Sequence, residues 1–337
     1  MDESAVIAAI VVTRLFVPLL IPRYPLSIIL ALVADAVDNS ILGALTTVDL
    51  GPDGPYQSFD KALDIYYLAI AYTTTLRNWT SRPAIGVAQF LFYYRLVGVL
   101  LFELLDERAL LLIFPNTFEF FFIAYEAVRT RFDPARRSAR FWVLTAAGIW
   151  VLIKLPQEYW IHVAKLDFTE TVADHPWFGV ACALGLLALA AVLWFVVRPR
   201  LPAPDWDWRF AADPRPATDA MPHPGLRELA EKTILVALIA VIFGEILPTV
   251  QMSALEVAVG VAAVVVANTA ISRWRARTAR FGVLLAINLG FVYAGSRLLS
   301  DSEDFPVGTG LFFAFLITLL TTLYDRYRRI YELRFES

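Results

Sequence analysis

Five carboxylates, Asp35, Asp38, Asp60, Asp64 and Glu119, stand inside or at the edge of long apolar runs, as do two guanidinium groups, Arg14 and Arg95. Ionisable side chains in a bilayer core are expensive, and they are usually paired or placed on a functional pathway. Asp35-x-x-Asp38 and Asp60-x-x-x-Asp64 each put two carboxylates on one helix face, the spacing that a shared cation needs. Asp35, Asp38, Asp64 and Glu119 outnumber the two arginines. An acid left over after pairing must be protonated, bind a cation or reach water through a cavity. The chemistry to expect is therefore the holding of a proton, a cation or a small polar ligand, with a divalent cation among the candidates.

A second constellation is Lys154-Leu-Pro-Gln-Glu158-Tyr-Trp-Ile-His162. Glu158 and His162 lie four apart, so on a helix both face one ligand; Asp167, Asp174 and His175 follow in the next connection, and a zinc site can be drawn from these residues. Pro156 frees backbone carbonyls nearby, which other groups must satisfy. The competing reading is an amphipathic interfacial segment with Trp160 and Ile161 in lipid. Pro115-Asn116 predicts a kink one turn before Glu119.

The run Thr13-Arg14, Asp35-x-x-Asp38 and Asp60-x-x-x-Asp64 resembles the CDP-alcohol phosphotransferases, in which four such aspartates bind metal and supply a base. The resemblance is confined to residues 13–64. Asn39 stands where that family has Gly, Leu42-Gly43 where it has Ala-Arg, and Tyr56 where it has Gly, and the acid-to-acid spacing is too long. That family also acts on a cytoplasmic nucleotide substrate, whereas the topology derived below puts these acids toward the outside. Its residue roles are not carried over.

The elements that must position these groups are transmembrane helices. Of 337 residues 58% are hydrophobic and 18% charged, with a mean hydropathy of +0.60. A soluble chain carries about a quarter charged residues and under half apolar ones. The apolar excess falls in runs long enough to cross a bilayer core, near 5–21, 25–45, 58–76, 84–104, 109–127, 141–161, 177–197, 233–250, 254–271, 281–299 and 307–324. The acidic start Met1-Asp2-Glu3-Ser4 lacks the basic region of a secretory signal peptide, so the first run is expected to be retained. The lone Cys182 excludes an internal disulfide framework. The arginines sit in short connections between apolar runs, so nucleic acid is not an expected partner.

Orientation follows from charge. Arg and Lys collect in cytoplasmic loops, and here they fill 128–140 (Arg129, Arg131, Arg136, Arg137, Arg140), 272–280 (Arg273, Arg275, Arg277, Arg280), the tail, and the connection holding Arg77 and Arg82. The intervening connections carry Asp49 and Asp53, Asp106 and Glu107, Asp167 to Asp174, and Asp301 to Asp304. This alternation predicts an all-α, polytopic transmembrane bundle of about eleven spans in the cell membrane, with the N-terminus outside and the C-terminus cytoplasmic. It is a single integral membrane domain, with a Pro-rich cytoplasmic loop at 198–232 between the seventh and eighth spans. Small residues four apart, Ala254, Ala258 and Ala262, suit close packing of the ninth.

At 1.5 Å per residue, Asp38 lies about 12 Å below the outer end of its span, Asp64 about 9 Å, Arg14 and Arg95 about 14 Å, and Glu119 about 15 Å. The polar groups thus share one band in the outer half of the bilayer. The short turn Pro22-Arg23-Tyr24-Pro25 is expected to bring Arg14 to Asp35, with Arg95 taking a further acid. A transport-type protein with an outward-facing polar cavity is the leading expectation. Its rivals are a membrane-embedded enzyme acting at the outer face on a lipid-linked or polar substrate, with Glu158 or His162 as acid or base, and a structural partner in a membrane complex.

Overall fold

The computed structural model describes residues 3–46, 55–105, 107, 109–160, 164, 168–214, 226–246, 277–299 and 307–335. Helix makes up most of the described residues, and no strand occurs among them. Apolar runs in lipid must satisfy their backbone groups internally, and a helix does so within one segment. In chain order the helices are α1 (Glu3–Phe16), α2 (Ile28–Leu45), α3 (Pro55–Asn78), α4 (Arg82–Leu105), α5 (Ala109–Ile113), α6 (Thr117–Arg129) and α7 (Ala139–Ile149). They continue with α8 (Phe168–Asp174), α9 (Pro176–Val192), α10 (Leu226–Ile246), α11 (Arg277–Leu299) and α12 (Val307–Phe335). Among the described residues, five helical stretches are long and apolar enough to cross a membrane: Glu3–Leu20, Arg82–Phe102, Ala109–Arg129, Ala139–Glu158 and Pro176–Arg200. The chain thus has the make-up of a helical membrane protein. The expected ninth span, with its small-residue stripe, lies outside the described residues.

Helix α3 is the central post. Its residues from Ala62 to Leu76 are almost all buried, and α12 packs along it. The aromatic face of α6 (Phe118, Phe121, Phe122, Tyr125) joins the same core. Three consecutive threonines sit inside it without needing a neighbour. Thr73 and Thr74 return their hydroxyls to the Ile70 carbonyl, and Thr75 to that of Tyr72, the local bonding that short hydroxyl side chains make in helices.

Pro115 does more than bend its helix. It separates α5 from α6, because it has no N–H and the residue before it is pushed out of the helical region. The Phe114 carbonyl at this break accepts from Arg95 Nη1 at 3.1 Å. Gly98 of α4 lies directly opposite, where a Cβ would collide with the Cβ of Phe114. On the far side, α7 runs into a π-helical stretch, Trp150–Lys154, and a last turn, Leu155–Glu158.

The described part of the Pro-rich loop is a strap laid across one end of the bundle. Asp205 and Arg209 donate their backbone N–H to the carbonyls of Arg131 and Thr130, each at 3.0 Å, and Ala212 donates to that of Arg23 at 2.7 Å. Trp206 Nε1 reaches the Arg129 carbonyl at 3.0 Å, and Asp205 binds Arg136 at 2.5 Å. Arg77 bonds the Pro22 carbonyl, and Arg334 bonds the carbonyls of Trp79 and Arg77 at 2.6 and 2.8 Å. The turn after α1, the α3–α4 connection, the loop after α6, the strap and the C-terminal end of α12 therefore meet at a single basic end.

Candidate functional site

Arg14 closes the buried stripe of α1, following Val6 and Ile10 at intervals of four. On α2 the inward stripe reads Ile28, Ala31, Asp35, Asp38, Leu42, alternating three and four apart. The two aspartates thus occupy core positions of an otherwise apolar seam. A third acid, Asp64, comes from α3. Arg14 Nη1 meets Asp38 at 2.5 Å, and Nη2 meets Asp35 at 2.5 Å and Asp64 at 2.6 Å.

Burial within this cluster is uneven, and that decides its character. The side chains of Arg14 and Asp38 are 3% and 2% exposed, whereas Asp35 is 27% and Asp64 40% exposed. The guanidinium is sealed in, and two of its carboxylates present an edge outward. Tyr66 fixes α3 against this corner by donating to the Leu15 carbonyl at 3.0 Å.

Tyr67, one residue further along α3, turns the other way and donates to Glu119 Oε1 at 2.8 Å. Asn116, at the helix break, gives its amide to Glu119 Oε2 at 3.1 Å and its backbone N–H to Glu158 Oε1 at 3.4 Å. Lys154 Nζ donates to Gln157 at 3.0 Å, sits 4.6 Å from the Phe120 ring centre, and lies within electrostatic range of Glu119 and Glu158. The two constellations that look separate along the chain therefore form one continuous polar region across α1, α2, α3, α6 and the helical turns that follow α7.

Arg95 departs from expectation. Among the described residues it takes no carboxylate; its guanidinium serves the Phe114 carbonyl that the proline break leaves over. His162, and with it the Glu158–His162 pairing, lies outside the described residues. Asp60 is in α3, but its side chain is likewise outside them. Among the described residues, no three His, Cys, Asp or Glu side chains group as a metal would require. Tyr67 and Asn116 are the site residues that sequence reasoning passes over. For Tyr67 a signal exists, since it follows Asp64 by one helical turn.

The Asn116 Oδ1 and the Thr117 Oγ1 are buried at the break with no hydrogen-bond partner among the described residues. They leave polar capacity beside Glu119 for a water or ligand atom. Compared with family models, curated proteins and solved structures, the chain matches none of them.

Proposed function

We propose that this chain is a transport-type protein of the cell membrane, with about eleven spans, its N-terminus outside and its C-terminus cytoplasmic. It cycles a cation on Asp35, Asp38, Asp64 and Glu119. The observation that carries this reading is the convergence of three carboxylates from α2 and α3 on the single buried guanidinium of Arg14, with Asp35 and Asp64 partly exposed. Meeting of the basic connections at one end of the bundle supports the topology, because all of them fall on the cytoplasmic side in an eleven-span count.

Among cations the proton suits the site best. A metal ion needs several oxygens around a common point, and here the guanidinium fills that point. A proton needs one oxygen, and Arg14 can hold the remaining carboxylates in place as each is neutralised. An outer-face enzyme would need the same aspartates around a metal, and Glu158 is already engaged by Asn116. The second reading is a structural lock, favoured because Arg14, Asp35, Asp38, Asp64 and Glu119 all have partners within hydrogen-bonding distance.

Reconstitution separates the two. The full chain is placed in liposomes with an entrapped pH dye, and a potassium diffusion potential drives proton entry. Cycling predicts flux in the wild type that Asp64→Asn abolishes while the protein still elutes as a monodisperse species. Wild-type liposomes no leakier than empty ones would overturn the proposal in favour of the lock.

A further inference from the structure

A second charged cluster, formed by α10 and α12 against α3, lies toward the basic end. Tyr72 donates to Glu231 Oε1 of α10 at 2.6 Å. Arg328 of α12 meets Glu231 at 3.2 Å, Glu228 at 3.5 Å and Glu332 at 3.6 Å. Lys232 pairs with Asp325 at 2.8 Å. Glu231, Lys232 and Arg328 are all buried. Tyr324 is 1% exposed, and its hydroxyl faces Glu231, Arg328 and Tyr93 without a hydrogen bond of normal geometry. One guanidinium serving three carboxylates repeats the arrangement around Arg14.

Between the two clusters lies a stack of rings. Tyr72 is parallel to Phe92 at 4.4 Å, and Phe92 meets Phe118 edge-on at 5.4 Å. Phe118 directly precedes Glu119, so the ladder begins at the hydroxyl bonded to Glu231 and ends beside the carboxylate bonded to Tyr67. Along α3, Asp64 and Tyr72 are separated by about 12 Å of helix rise. The order from one end to the other is polar, aromatic, polar, which is what an occluded path needs.

We propose that Glu231 is the inner proton acceptor of a path whose outer acceptors are Asp64 and Glu119, with the Tyr72–Phe92–Phe118 stack as the barrier between them. This rests on the proton-cycling reading above. When the rings part, water joins the clusters. A proton brought in on the Glu119 carboxyl leaves it as carboxylate, and the Glu231 carboxylate takes the proton up and returns it to solvent at the basic end. Tyr72 and Arg328 hold Glu231 in position, and Tyr324 offers a hydroxyl to the same acid.

The test uses the full chain in liposomes, with proton flux and carbodiimide labelling of Asp64 as separate readouts. Glu231→Gln should cut flux about a hundredfold, the usual worth of a positioned proton-transfer group, while Asp64 labels as in the wild type. Tyr72→Phe keeps the ring stack, loses only the bond to Glu231, and should slow flux severalfold, so the inference survives a Glu231 variant that fails to fold. Wild-type flux in either folded variant, with flux lost in Asp64→Asn, overturns the inner site and leaves the outer one standing. Absence of flux from the wild type overturns both.

Discussion

The Tyr67 hydroxyl donates to Glu119 across 2.8 Å, one helical turn along α3 from the aspartate that binds Arg14. Asp64 and Tyr67 share a helix, yet their partners stand on α1 and α6. A single turn of α3 is thus the joint between the Arg14 cluster and the groups around the Pro115 break. Removing the hydroxyl leaves a buried carboxylate with one donor fewer, a loss of about 1–3 kcal/mol. Tyr67→Phe should lower the thermal midpoint in detergent, followed by tryptophan fluorescence, and Glu119→Gln should restore part of that loss. An unchanged midpoint in Tyr67→Phe would mean that this bond is absent from the folded protein in detergent.

Arg14 is bound to more than one acid, so its loss is not repaired by deleting a single partner. Arg14→Ala leaves Asp35, Asp38 and Asp64 facing one another, and breaking a buried ion pair from one side costs about 3–5 kcal/mol. The double variant Arg14→Ala/Asp38→Ala should lose less than the sum of the singles, with a coupling of roughly 0.5–3 kcal/mol. Arg14→Lys should not rescue, because an ammonium lacks the planar fork that reaches three carboxylates. Strictly additive losses in a thermal-unfolding cycle would argue that the groups do not touch.

Gly98 is required by the backbone break on its neighbour. Phe114 presents its Cβ to the glycine, and a Cβ cannot swing away as the end of a flexible side chain can. Gly98→Ala should therefore destabilise by about 1–3 kcal/mol through overpacking. Gly148→Ala, where nothing stands within 4 Å, is the matched control. Equal midpoints for the two variants would contradict the close approach.

Topology can be read by labelling. With Cys182 replaced, a cysteine at position 136 or 277 should be protected in intact cells from an impermeant thiol reagent, and one at 53, 174 or 301 should react. The strap adds a second test. Asp205 ties it to Arg136 at 2.5 Å and to the backbone N–H of Asp133 at 2.8 Å, so Asp205→Ala should expose Arg209 to trypsin sooner in inverted vesicles and leave intact cells unaffected. Labelling at 136 from outside would refute the orientation.

How much of this is legible beforehand depends on whether the signal is local. The helical membrane class follows from run lengths alone. The inward placement of Asp35 and Asp38 follows from their spacing with Ile28, Ala31 and Leu42, and the short turn after α1 makes Arg14 the natural partner of Asp35. The junction of Lys154 and Glu158 with Asn116 and Glu119 has no local signal, because it is made by the packing of α7 against α6. The same holds for Glu231, which reads as the amphipathic start of an apolar run and is found bonded to Tyr72, 159 positions away. Charge counting assigns Arg95 an acid; the carbonyl it serves is exposed by Pro115, and pairing rules for side chains do not count backbone acceptors. The prolines of 198–232 predict a loop, and the ordering of its described part comes from backbone N–H groups that the prolines leave available between them.

No residue of Pro176–Arg200 is buried against the other described residues. In a bilayer its packing partner would be lipid, and the membrane would decide how it stands. Its 25 residues measure about 37 Å at 1.5 Å each, against about 30 Å of hydrocarbon. Such a rod answers hydrophobic mismatch by tilting, and its angle follows bilayer thickness. Trp177 near one end and Arg198, held 4.1 Å from the Trp194 ring, near the other would mark its two interfaces. The strap follows it along the chain and is clasped from Asp205 onward, so in a bilayer a change of tilt would pull on the segment that holds the basic end.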